Sequence, residues 1–310
     1  MQTQTLQRPK KFSSFRNFLQ PAIGLLIIYF IFRYFDPDKI FHYVQTINRD
    51  QFIKAVVCLL LIIPLASLRL KFHSASFGYQ KEFSTCVKSV FAGLSINMIV
   101  PAKAGDFAKS GFLREENDSW KDLIGICFLE RVFDIFCLGL IGLSAAAILE
   151  FNILSYASVL MIIAASLIFF IILWNSKLIE KLKFVSFEKI VGNFKSDVKV
   201  IFKPLALSFL CSLNNALFLG FLFKSIEQST EILKPIAVLP IATLASAIPI
   251  TPMGFGTRDG AFLFFLSDFI EPEKILTASL LYILLSQVAL GTIGLFVFFK
   301  KETVVKKTHH

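Results

Sequence analysis

Residues 97–109 read Asn97-Met98-Ile99-Val100-Pro101-Ala102-Lys103-Ala104-Gly105-Asp106-Phe107-Ala108-Lys109, and they end an apolar run that begins at Thr85. Proline lacks an amide proton and its ring clashes with the preceding turn, so a helix reaching Pro101 stops there. Gly105 allows a tight backbone approach just beyond the break. The run before the break is shorter than the roughly 20 apolar residues that cross about 30 Å of hydrocarbon. A weaker apolar piece follows and ends at Phe112. The same design recurs downstream, where Ile236–Ile250 breaks in Pro249-Ile250-Thr251-Pro252-Met253-Gly254-Phe255-Gly256-Thr257-Arg258-Asp259-Gly260 and a short piece, Ala261–Phe269, follows. Two prolines and three glycines in that stretch exclude a continuous helix.

Outward from these breaks, the remaining apolar runs reach full spanning length: Phe18–Phe35, Phe52–Leu70, Leu123–Leu149, Ile153–Trp174, Pro204–Phe223 and Ile275–Phe299. Across 310 residues, 55% are hydrophobic and only 17% are charged. A soluble domain carries about 25% charged residues. The predicted fold class is therefore all-α, a polytopic membrane protein. The first run follows Arg8, Lys10, Lys11 and Arg16 but leads into Arg33-Tyr34-Phe35-Asp36, with no small-residue cleavage site. It is expected to be an uncleaved span.

The net charge of +10 does not indicate nucleic acid, because the basic residues flank the spans. That placement follows the positive-inside rule and suits anionic lipid headgroups. The N-terminus, Arg69–Lys88, Lys177–Lys203 and the C-terminus are basic and predicted to be cytoplasmic, whereas Asp36–Gln51 and Lys224–Lys234 are balanced and predicted to be external. On this count Thr85–Phe112 enters and leaves on the cytoplasmic face, and Ile236–Phe269 enters and leaves outside. Six full spans plus two re-entrant helical hairpins result. Residues 18–149 and 153–299 then form two repeats, the second inverted relative to the first, within one transmembrane domain. Inverted repeats with broken helices mark secondary transporters, and the breaks point to the substrate site. Both termini lie in the cytoplasm on this reading, and the location is the cell membrane.

The breaks carry the candidate site. A half-helix starting after Pro101 aims free N–H groups and a partial positive charge at the break, which suits a phosphate. Lys103 and Lys109 add formal charge, and Arg258 offers a bidentate fork. The alternative for the lysines is a solvated loop, and for Arg258-Asp259 a cap on the hairpin. Glu130, Arg131 and Asp134 lie inside an apolar span, where charges are costly and mark functional sites by default. Glu130 and Asp134 share a helix face, and Arg131 is spaced to pair with Asp134. They balance the cations or carry protons, or else they form an ion pair locking the span to the first hairpin. Asn214 and Asn215 are read as helix–helix hydrogen-bonding residues.

Two amphipathic stretches complete the map. Ile40, Phe41, Val44 and Ile47 share one face. Phe187, Ile190, Val191, Phe194, Val198 and Ile201 share another, opposite lysines. Each suits a helix in the membrane interface or one packed on the bundle. Cys58, Cys86, Cys127, Cys137 and Cys211 form no CxxC and are read as reduced apolar residues. No metal site and no cofactor is expected.

Taken together, Asn97…Pro101-Ala-Lys-Ala-Gly105-Asp106, Glu130-Arg131-Val-Phe-Asp134 and Pro249-Ile-Thr-Pro252-Met-Gly254-Phe-Gly256-Thr-Arg258-Asp-Gly260 resemble the lysylphosphatidylglycerol synthase transmembrane-region family, also called flippase-like domain proteins. The resemblance covers nearly the whole chain. Lys103 stands where arginine is common and Met253 where glycine is common. The soluble aminoacyl-transferase domain of the bifunctional members is not found, so lysyl transfer is not expected and the chain is expected not to be an enzyme. The resemblance implies translocation of a lipid or lipid-linked headgroup. An anionic headgroup would be bound by Asn97, Pro101, Lys103, Gly105, Asp106, Lys109, Pro252, Gly254, Gly256, Arg258 and Asp259. Two other functions remain open. One is a polyprenyl-phosphate-sugar glycosyltransferase using Asp36 and Asp38, against which Asp36-Pro37 reads as a helix start. The other is a non-transporting partner of an envelope-assembly enzyme. The expected partners are the anionic headgroup and the bilayer, and the sequence leaves a homo-oligomer open.

Overall fold

In the computed structural model the described residues are 37–98, 100, 104–174, 185–247, 254 and 256–296, and they are helical with no strand among them. The predicted span at 18–35, Asp36, both termini, Pro101, Lys103 and Pro252 lie outside the described residues. The helices are α1 (Pro37–Gln45), α2 (Arg49–Ser76), α3 (Phe83–Asn97), α4 (Gly105–Leu113), α5 (Trp120–Ile148), α6 (Asn152–Trp174), α7 (Glu188–Ser196), α8 (Phe202–Ile226), α9 (Leu233–Ala247), α10 (Thr257–Leu266) and α11 (Pro272–Phe296).

Among the described residues, four helical segments are long and apolar enough to cross a membrane: Arg49–Ser76, Asn152–Trp174, Val198–Ile226 and Pro272–Phe296. α5 is as long, at 29 residues, but carries Glu130, Arg131 and Asp134 in its middle. α6 exposes Ile153, Tyr156, Leu160, Leu167 and Trp174 along one face. A continuous apolar stripe of this kind needs a non-aqueous neighbour, and lipid supplies it. The chain is an all-α polytopic membrane protein.

Both sequence breaks separate paired helices. α3 packs on α4 and α9 packs on α10. At the first break, a Cβ on Gly105 would lie 2.2 Å from the Gly93 carbonyl oxygen, so only glycine lets the two arms meet. At the second, Gly256 has φ 85°, a left-handed conformation that side chains disfavour. Its amide donates to Asp259 Oδ2 at 2.7 Å, which closes the first turn of α10.

α2 and α8 form the most extensive helix pair, and α5 contacts both. α9 also lies against α5, where Pro240 fills the space left by Gly142. α11 reaches α3, with the Ser95 hydroxyl donating to the Gly291 carbonyl at 2.8 Å. Two apolar cores result. One gathers Ala55, Cys58, Leu138, Ile141, Phe218 and Phe262. The other gathers Leu70, Phe77, Leu129, Phe133, Phe187 and Ile190. On α5 the second core ends at Phe133 and the first begins at Leu138. Asp134 falls at this seam, and Glu130 and Arg131 lie one turn before it.

α7 settles one alternative left by the sequence. Phe187 and Ile190 are buried in the second core, so this segment packs on the bundle. Lys189 Nζ lies 4.0 Å from the Tyr79 ring centroid and 3.1 Å from Asp122, which fastens the outer edge.

Candidate functional site

The buried charges of the first half form a closed circuit. Lys109 on α4 pairs with Glu130 on α5, and Glu130 pairs with Arg69 on α2. Arg69 also pairs with Asp134. Asp134 is 2.7 Å from Arg131, and Arg131 is 3.1 Å from Asp106 on α4. Three cations meet three carboxylates, so the circuit carries no net formal charge. Asn97 fixes its α4 side. The Asn97 Oδ1 accepts from the Gly105 amide at 2.8 Å and its Nδ2 donates to Asp106 Oδ1 at 3.0 Å. A charge in an apolar interior costs several kcal/mol unless it is paired, which explains why these six groups find one another.

A second polar group forms around α10. Arg258 Nη2 donates to the Ser279 carbonyl at 2.9 Å and the Ser279 hydroxyl at 3.0 Å, and lies 3.2 Å from Asp259 Oδ1. Ser279 in turn donates to Asp259. The Arg258 guanidinium lies 4.7 Å from the Tyr282 ring centroid. The Tyr282 hydroxyl donates to Asn215 Oδ1 at 2.9 Å, which links α11 to α8.

Three cavities join the two groups. One of about 220 Å³ is lined by Arg69, Arg131 and Asp134 on one side and by Asn214, Asn215, Tyr282 and Gln287 on the other. A second of about 180 Å³ follows the first hairpin past Asn97, Asp106, Lys109 and Glu130, again reaching Gln287. A third of about 40 Å³ lies between Asn97, Gly254, Arg258 and Gln287. The Nε atoms of Arg69, Arg131 and Arg258 are buried with no hydrogen-bond partner among the described residues. Buried donors of this kind normally find an acceptor. Among the described residues no group of His, Cys, Asp and Glu is placed to hold a metal ion.

The three motifs, their order along the chain and the all-helical frame coincide with a known family. The sequence matches the model described as the lysylphosphatidylglycerol synthase TM region over residues 17–294. The chain belongs to the lysylphosphatidylglycerol synthase transmembrane-region family. It is similar to the UPF0104 membrane protein MJ1078 of Methanocaldococcus jannaschii, at 29% identity over 68% of this chain and 96% of that protein. It is also similar to the UPF0104 membrane protein MJ1595 of the same organism, at 26% identity over 92% of this chain and 95% of that protein.

In this family member the residues singled out from the sequence fall into two places. Asn97, Gly105, Asp106, Lys109, Glu130, Arg131 and Asp134 come together at the first hairpin. Gly256, Arg258 and Asp259 come together at the second, and Asn97, Gly254 and Arg258 share the small cavity. Lys109 is engaged by Glu130 and does not stand free. Arg131 pairs with Asp134 at the expected spacing. Asn214 donates to the Cys58 carbonyl on α2 at 2.9 Å, the helix–helix bond expected of it.

Sequence reasoning missed Arg69, Tyr282, Ser279 and Gln287. Arg69 was counted with the basic loop, yet α2 continues to Ser76. The buried positions Ala55, Cys58, Arg69, His73 and Ser76 follow a helical period, and reading Arg69 as part of that helix, not of the loop, places it on the inner face. Gln287 was detectable only as an uncharged polar residue within the last apolar run.

Proposed function

We propose that the protein translocates a lipid whose anionic headgroup enters the chamber between the two hairpins while its acyl chains stay in the bilayer. The observation that carries this reading is the set of buried arginine Nε donors, on Arg69, Arg131 and Arg258, left without acceptors beside polar cavities. Membership of a family described by its lysylphosphatidylglycerol synthase TM region supports a role with membrane lipid. Because the charge circuit is neutral, a phosphate approaching Arg69 and Arg131 competes with Asp134. Glu130, Arg131 and Asp134 then act as the charge-balancing or proton-coupling group. On this reading the two breaks belong to the hairpins of an inverted repeat, and Lys103 is a further cation of the headgroup site by its place in the sequence. The basic loops place both termini in the cytoplasm of a cell-membrane protein. The activity is transport without covalent chemistry.

Reconstitution into liposomes with a fluorescent anionic phospholipid tests this reading. Accessibility of the label to an external quencher reports movement between leaflets. Wild-type protein should speed exchange over empty liposomes. Arg131→Gln and Arg258→Gln should lower the rate by about ten- to a hundredfold, since a hydrogen bond to a charged group contributes about 1.5–3 kcal/mol. Unchanged exchange in both variants would refute the assignment of these residues, and no exchange by folded wild type would refute transport of that lipid class.

A further inference from the structure

Gln287 borders all three cavities, and no other described residue does so. It lies on the stretch Leu284–Ala289, where α11 widens from α to π geometry. Such widenings are rare within helices and frequently occur at functional sites. Its side-chain amide hydrogen-bonds to no described residue, whereas nearby polar side chains are engaged: Asn215 by Tyr282, Asn214 by Cys58 and Asn97 by Gly105 and Asp106. The charges divide differently. α2 and α5 bring Arg69, Arg131 and Asp134 to the largest of the three cavities, whereas the polar residues that α8, α9 and α11 bring to it are uncharged: Ser212, Asn214, Asn215, Thr243, Tyr282 and Gln287.

We infer that Gln287 is a specificity-determining residue that hydrogen-bonds the uncharged hydroxyl groups of a headgroup whose phosphate faces Arg69 and Arg131. This inference rests on the headgroup reading above and adds the chemistry of the rest of the ligand. A carboxamide presents two donors and one acceptor, which suits a hydroxyl able to give and take a proton. It offers no charge to a headgroup ammonium. A bare phosphate ester would satisfy the arginines and offer the Gln287 amide no partner, and the missing hydrogen bond makes its binding weaker. Because Gln287 also borders the Arg258 cavity, the same amide stays within reach as the phosphate moves from one hairpin toward the other.

The test compares two labelled lipids with identical acyl chains and one negative charge each. Phosphatidylglycerol carries two free hydroxyls, and phosphatidylethanol carries none. Exchange of each is measured in liposomes containing the full chain, wild type or variant. Wild type should move phosphatidylglycerol faster than phosphatidylethanol by about two- to tenfold, the range expected for one or two neutral hydrogen bonds. In Gln287→Leu the ratio should fall toward one, chiefly through slower phosphatidylglycerol exchange. Gln287→Asn, a shorter amide, should retain part of the preference. A ratio within one preparation does not depend on how much protein folded. A preference unchanged in Gln287→Leu, or no preference in wild type while both lipids move, overturns the role of Gln287 and leaves the transport reading standing. Movement of neither lipid by folded wild type overturns both.

Discussion

Arg69 on α2 and Glu130 on α5 form an ion pair whose side chains are 8% and 0% exposed. Glu130 answers Lys109 as well, so one carboxylate offsets two buried cations from two different helices. Its removal would strand Lys109 and leave Arg69 with Asp134 alone. Glu130→Ala should destabilise the fold by about 3–5 kcal/mol, the loss seen when one member of a buried pair is deleted. Lys109→Met should cost less, because Glu130 keeps Arg69 and only the α4 contact is lost. Thermal unfolding in detergent would show this order, and equal losses would mean that Glu130 does not serve as the hub.

The close approach of Gly93 and Gly105 gives a second prediction. A methyl group on Gly105 would meet backbone, the Gly93 carbonyl oxygen at 2.2 Å and the Asn97 nitrogen at 2.7 Å, and backbone cannot turn aside as a side chain can. Gly105→Ala should therefore separate α3 from α4 and pull Asp106 away from Arg131. The expected loss is at the upper end of the about 1–3 kcal/mol typical of overpacking. Gly192→Ala, where the added methyl meets nothing within 4 Å, is the matched control and should hold or slightly raise the melting midpoint, because alanine suits a helix interior better than glycine.

These two sites show what was legible beforehand. Pro101, Gly105, Pro252 and Gly256 announced breaks because proline and glycine act through the local backbone, which a sequence displays directly. Glu130, Arg131 and Asp134 stood out because charge in an apolar run has few explanations. Arg69 did not, because its position near the end of a run made a loop residue and a buried ligand look alike. Partners contributed across the fold, such as Ser279 for Arg258 or Gln287 for the chamber, leave no local pattern. α7 was ambiguous for a related reason: an amphipathic face looks the same whether protein or lipid covers it.

That ambiguity yields a third prediction. Phe187 is fully buried, with its ring 5.8 Å from Phe128 and 6.4 Å from Phe77 between centroids. Val198, on the same face by sequence, is 56% exposed. Phe187→Ala should cost about 3–5 kcal/mol by leaving a cavity, while Val198→Ala should cost well under about 1 kcal/mol. Small and equal effects of the two changes on the melting midpoint would point to a segment held by lipid alone.

The last prediction concerns acid sensitivity at the linker after α8. Glu227 accepts from Lys274 Nζ at 2.8 Å, from the Ser229 hydroxyl at 2.6 Å and from the Ser229 amide at 3.2 Å. The bond from Lys274, followed by those from Ser229, holds its carboxyl below the ordinary value of 4.5. A carboxyl depressed on folding binds its proton more readily in the unfolded chain, so its contribution is complete above the unfolded value and is lost as pH falls through the folded one. The melting-midpoint gap between wild type and Glu227→Gln should therefore stay constant from neutral pH to about 4.5. It should close below that, as wild type also loses the charge that holds α11 to this linker. A gap that widens on acidification would reverse the sign and show that Glu227 is not stabilised as a carboxylate.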